Sequence, residues 1–188
     1  MVTKNTDPRP LSGIRGASIF LAASYLSLIV SGGCSGATGE DTVQGEQLMH
    51  SSSSAEEISE AVLEALASGD FERLQQLSVT ENEFRSLVWP ELPSSRPERG
   101  LPFEYVWGDL HQKSNNELRR LFARENGKQY ELLTVDFEGD STVYDTFTVH
   151  RESKLKVRGP ENVESEERFF GSILERDGQY KLFSYIVD

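Results

Sequence analysis

The residues able to do chemistry are few and scattered. The chain has one cysteine, Cys34, and three histidines, His50, His111 and His150. A single thiol excludes an internal disulfide and a cysteine-rich zinc centre. Three histidines, with His50 in a Ser/Gly-rich stretch, exclude a histidine-rich metal centre. No HExxH, GxSxG, Walker loop or GxGxxG occurs. Asp136, Glu138 and Asp140 mimic the first carboxylates of a calcium loop, but Phe147 stands where a bidentate glutamate is required, and a polar hairpin turn explains the three acids. The sequence therefore predicts no metal and no cofactor. A catalytic centre needs two or more titratable groups converging in one dry pocket. His111 and His150 fall on different elements, and neither has a carboxylate partner identifiable along the chain. Asp136 is out of phase with apolar Leu133, Val135 and Phe137, which turns it to water. These residues predict a domain that is not an enzyme, with His111 as a partly buried structural histidine.

What remains is binding. Trp89, Tyr105 and Trp107 bracket a proline-rich stretch at residues 89–102. With His111 and Tyr144 they are the candidate pocket or rim residues, suited to apolar contact and hydrogen bonding. Tryptophans so placed more often plug the open end of a small core. Lys154, Lys156 and Arg158 form a one-sided basic stripe in an acidic protein. It either receives an anionic partner or protects an edge strand by charge.

The charge balance narrows the partners. Of 188 residues, 19 are Lys or Arg and 31 are Asp or Glu, a formal charge of −12. An acidic chain lacks the basic footprint that phosphate neutralisation requires, so no nucleic-acid partner is expected. Residues 1–16 hold Lys4, Arg9 and Arg15 against Asp7; residues 17–30 are uncharged and mostly apolar; small residues follow, then the cysteine. A positive segment, a short apolar run and small residues read as a secretory signal, and the run falls short of the roughly 20 residues of a spanning helix. Gly32, Gly33 and Cys34 behind such a leader resemble the lipobox of bacterial lipoproteins, with Ser31 where that family prefers Leu. The resemblance implies cleavage before Cys34, lipidation of its thiol and membrane attachment through lipid. Two or more acyl chains give stable anchoring. It also implies a cell-envelope location, and Ser35 in place of Asp implies the periplasmic face of the outer membrane if the envelope is Gram-negative.

The organisation expected is a signal peptide at 1–33, the lipidated cysteine and a flexible tether at 34–54, and one domain at 55–188. Residues 35–54 are polar, Gly/Ser-rich and without periodicity. Ser54 with Glu57 opens a helix whose Ile58, Val62 and Leu66 share a face, and Gly69 stops it. Asp70 and Thr80 cap two further short helices, and residues 89–102 are expected to lack regular structure. A longer helix over 104–126 places Trp107 and Leu110 in the core, with Leu118 and Leu121. From Lys128 the apolar period changes to two, residues 161–167 read as an acidic loop, and Asp177-Gly178 signals a two-residue hairpin. The final run, apolar at both parities, reads as a central strand. Helices first and an antiparallel meander second predict an α+β domain.

The run AVLEALASGDFERLQQLSVTENEF at residues 61–84 and the closing Asp177-Gly178 hairpin resemble the nuclear transport factor 2-like superfamily, a cystatin-like cone. The resemblance implies helices packed on one curved antiparallel sheet of four to five strands. The proline-rich stretch stands where that family places a hairpin. The function expected is a non-catalytic envelope module that binds a small apolar ligand or an envelope protein. Enzymes of the superfamily place an Asp or His base and a Tyr in the cone. The alternative is thus an isomerase or dehydratase using Asp136, Tyr144, His150 or His111. The oligomeric state is not legible.

Overall fold

The computed structural model describes residues 47–187. Residues 1–46, which hold the expected signal peptide, Cys34 and most of the expected tether, lie outside the described residues.

The helices form where capping chemistry and apolar spacing coincide. Helix α1 spans Ala55–Ser68; the Ser54 hydroxyl accepts from the Glu57 amide, and the chain leaves through Gly69 at φ 71°. That left-handed conformation is one glycine adopts without a Cβ penalty. Ile58, Val62 and Leu66 are fully buried. Asp70 caps α2, Phe71–Gln76. Thr80 and Glu83 form a reciprocal capping box on α3, Glu81–Glu83, which runs on into a π-type turn at Phe84–Val88. The stretch expected to lack regular structure instead folds into three short 3-10 turns, Trp89–Glu91, Pro93–Ser95 and Pro97–Arg99. Each carries proline in its first positions. There proline's fixed φ suits the turn and its missing N–H costs nothing. Helix α4, Phe103–Glu125, is the long helix.

The fold is α+β, with a correction to the sheet. Among the described residues, seven strands replace the expected four or five: β1 Glu131–Phe137, β2 Thr142–Val143, β3 Thr148–Arg151, β4 Ser153–Arg158, β5 Glu164–Glu167, β6 Ser172–Arg176 and β7 Gln179–Ser184. They form two antiparallel sheets, ordered β1-β4-β5 and β2-β3-β6-β7. The division falls at Glu152, whose φ of 53° breaks the run between β3 and β4. A non-glycine residue in that region kinks the strand, so β3 pairs in one sheet and β4 in the other. Alternation of apolar residues cannot register a kink of one residue.

Two further corrections concern strands. The acidic 161–167 segment is not merely loop, since β5 sets Glu164 and Glu166 opposite Arg158 and Lys156 of β4. The basic stripe therefore lies on a central strand, and its charges are met by cross-strand carboxylates rather than guarding an edge. Strand β7 is last in its ladder rather than central. Its outer side is closed by two short crossings: Ser52 exchanges hydrogen bonds with Tyr180, at 2.9 and 2.8 Å, and Val79 donates to Leu182 at 2.8 Å. Those crossings account for its apolar residues at both parities. They also make residues 48–54 part of the folded unit, so its start lies before the expected boundary at 55. Asp177 and Gly178, at φ 52° and 71°, form the anticipated tight hairpin between β6 and β7.

Two apolar clusters result. One joins α1, Leu118 and Leu121 of α4, β4 and β7. The other gathers Phe84, Val88, Phe103, Val149 and Leu174. Trp107 and Leu110 pack beside the second cluster as half-buried residues, not as core.

Candidate functional site

Helix α4 and the four-stranded sheet do not close on one another completely. Between them lies a cleft of about 540 Å³. Val106 and Leu110 are four residues apart and Lys113 three further on, so all three face it from one side of α4. Opposite stand Phe84, Val149 and Phe183. The cleft changes character along its length. Ladder register sets Val149 against Leu174 and, two residues on, Arg151 against Ser172. Val149, Phe183 and Tyr144 make one end apolar, while Arg151, Glu152, Arg168 and Lys113 put charge at the other.

The far wall is held by close backbone approach. Gly171 is buried in the cleft lining, and a Cβ there would land on the carbonyl oxygen of Ile186. Tyr185 anchors the same segment: its amide donates to the Ser114 hydroxyl oxygen at 3.0 Å, and its own hydroxyl donates to the Leu74 carbonyl at 2.7 Å. Burial pushes the Tyr185 phenol well above its ordinary range, so it stays a neutral donor.

Most charges of the cleft are already engaged. Lys113 contacts Asp109 at 2.8 Å, and this hydrogen bond raises the ammonium pKa. Arg168 pairs with Glu138, which also takes Lys154 at 2.6 Å. The Lys154 hydrogen bond, with that of Arg168, holds the Glu138 carboxyl below its usual range. Arg151 is different, for it makes no ion pair within 4.0 Å among the described residues.

The expected site residues are dispersed. Tyr144 lines the cleft and stacks on Phe147 with ring centres 4.4 Å apart. Trp107 and His111 instead line a second cavity of about 330 Å³ beside Ser78 and Asn115. His111 is exposed rather than partly buried; it lies on the Trp107 ring at 5.0 Å and contacts Asn115 at 2.8 Å. Tyr105 is 66% exposed, and Trp89 sets its edge against Phe103 at 5.6 Å. Neither lines either cavity, and of residues 89–102 only Leu92 reaches the cleft. The expected rim therefore meets the cleft through Leu92 alone. Asp136 faces solvent, as its strand phase indicated. Cys34 lies outside the described residues.

Two polar constellations escaped the sequence reading. The first is a buried ion pair between Lys181 and Glu83, 2.8 Å apart, with side chains 0% and 4% exposed. Lys181 also donates to the Met49 carbonyl at 2.5 Å, and the Met49 amide to Glu83 at 2.6 Å. Burial pushes the Glu83 carboxyl up, but hydrogen bonds from Lys181, Thr80 and Met49 outweigh it and hold the pKa below the usual value. The capping box was visible; its lysine, 98 residues away, was not. The second supplies His150 with a carboxylate partner that its sequence neighbours do not indicate. His150 Nε2 contacts Glu175 at 2.7 Å and its Nδ1 contacts Ser141 at 3.0 Å. The ring lies against Phe137, on the sheet face opposite Val149 and outside the cleft lining. Only strand pairing brings β6 beside β3, so spacing along the chain could not reveal the contact.

Among the described residues no helix is long and apolar enough to cross a membrane, and no cluster of three His, Cys, Asp or Glu side chains is placed to hold a metal ion. No family model, curated protein or solved structure matches the chain.

Proposed function

We propose that this protein is an envelope lipoprotein whose folded unit binds a small molecule with an apolar body in the cleft under α4 and releases it unchanged. The observation that carries the reading is the cleft itself. Its volume of about 540 Å³ falls within the range of ligand pockets, roughly 300–1,000 Å³, and its inner end is walled by Phe84, Val149 and Phe183. Binding without turnover is supported by the placement of the proton-transfer groups. His111 lines the other cavity and His150 the other sheet face, while Asp109 of the cleft is occupied by Lys113. The lipid anchor rests on the leader and on Cys34. Placement at the membrane would give the cleft access to membrane-derived molecules.

The test fills the cleft from its half-buried wall. The full chain is titrated with a photoreactive dodecanol, and the Leu110→Trp variant is compared in the same preparation. A concentration for half-maximal labelling at least tenfold higher in the variant, at an unchanged thermal midpoint, is the expected outcome. Equal labelling of both proteins would refute the cleft as the binding site.

One observation favours an enzyme instead, the Ser141–His150–Glu175 series. An activated nucleophile has a base within hydrogen-bond reach and a third group orienting that base. The isomerase or dehydratase alternative needs its acid–base pair inside the cleft, and this series lies outside it. A hydrolytic reading of the series predicts that a fluorophosphonate labels Ser141. Our reading predicts no adduct there.

A further inference from the structure

We propose that the cleft ligand is an amphiphile with an anionic oxygen head, a carboxylate or phosphate on an apolar chain, and that Arg151 is the residue that receives the head. The proposal rests on the cleft reading above and adds the chemistry of the ligand.

Three cations line the cleft, and two are committed. Lys113 is held by Asp109 one turn away on α4, and Arg168 by Glu138 outside the cleft. Arg151 makes no ion pair among the described residues, so its guanidinium keeps its full set of donors for a guest. A guanidinium fork matches the paired oxygens of carboxylate and phosphate geometrically, in a way an ammonium does not.

Its placement is specific. Strand β3 delivers Val149 to the apolar end, and Arg151, two residues along the same face, to the charged end. A chain lying against Val149 and Phe183 would thus bring its head to Arg151. The anions of the cleft do not cancel this cation. Asp109 is taken by Lys113. Glu152 also lines the cleft, its carboxyl carbon 3.2 Å from where a Cβ on Gly139 would stand, and among the described residues it makes no ion pair with Arg151. Gly139 belongs to the β1–β2 turn and is not part of the cleft lining. Arg151 is exposed, as a residue that meets the head at the mouth of the cleft must be.

The experiment uses the full chain and three photoreactive twelve-carbon probes, namely the carboxylate, the alkyl phosphate and the neutral alcohol. Wild type, Arg151→Gln and Lys113→Gln are labelled in one preparation, so partitioning of each probe cancels between proteins. Wild type should reach half-maximal labelling with either anion at a concentration at least tenfold below that for the alcohol. Arg151→Gln should erase this preference and leave the alcohol curve unchanged, while Lys113→Gln should retain it. Preference for only one of the two anions identifies the head and supports the proposal. Equal curves for anions and alcohol on wild type, or a preference that survives Arg151→Gln, would overturn it while leaving the cleft reading intact. Failure of all three probes to label the cleft overturns both.

Discussion

Lys181 shows what one buried residue decides. Its ammonium is enclosed with the Glu83 carboxylate, and together they tie β7 to the α3 capping box and to the backbone of Met49. Removing one partner of a buried pair leaves an uncompensated charge, at about 3–5 kcal/mol. Lys181→Met is therefore expected to cost that amount in a denaturant titration, and a loss under about 1 kcal/mol would show the pair to be solvated. The pH dependence has a definite sign. The folded-state pKa of Glu83 lies below the ordinary carboxyl value of 4.5. Its contribution is thus fully present above pH 4.5 and is lost as pH falls through the lower, folded value. Glu83→Gln should flatten the acid limb of the stability profile. The capping box is readable along the chain but its pairing is not, because the lysine lies inside an apolar strand far from the helix that holds its partner. His150 teaches the same lesson, since Glu175 reaches it only through the β3–β6 ladder.

At the scale of elements, helix starts and stops were legible because they depend on neighbours in sequence. Ser54, Asp70, Thr80 and Gly69 each act within four residues of their own position. Strand existence was legible from alternation, but strand partnership was not. Glu152 makes the difference between one sheet and two, through a single backbone angle. Holding a non-glycine residue there costs on the order of 1 kcal/mol or more. Glu152→Gly should relieve that strain and raise stability or leave it unchanged. A clear loss in thermal midpoint would assign the side chain a structural role. Gly171 makes the opposite case. A Cβ at this position meets backbone, not a flexible side chain, so neither neighbour can yield without moving the Ile186 segment. Gly171→Ala is expected to lower the thermal midpoint sharply and to distort the cleft wall. An unchanged midpoint would mean that the segment is free to shift.

At the scale of the molecule, the folded unit includes more of the chain than composition suggested. Residues 48–54 look like tether, Ser-rich and polar, yet Ser52 pairs with Tyr180 and the Met49 backbone completes the buried ion pair. Full chains carrying Ser52→Pro should lose stability, because proline removes the amide that donates to Tyr180. An unaffected denaturation midpoint would return these residues to the tether. The cleft is likewise a property of the whole. It exists because α4 reaches the kinked β3–β4 strand only through side chains, and no single segment announces it. Tyr144 alone among the anticipated pocket residues lines it; Trp89, Tyr105 and Trp107 flank a proline-rich stretch of which only Leu92 reaches the cleft, and His111 faces the second cavity.

The most direct measurement of the central claim is where a bound apolar molecule sits. Full chain labelled with the photoreactive dodecanol is digested and the adducts are mapped by mass spectrometry. The account predicts adducts on Val106 to Lys113 of α4 and on the 149–153 stretch of the facing strand, the segments that wall the cleft. Adducts confined to the second cavity around Trp107 and His111, or to the exposed surface near Tyr105, would contradict it.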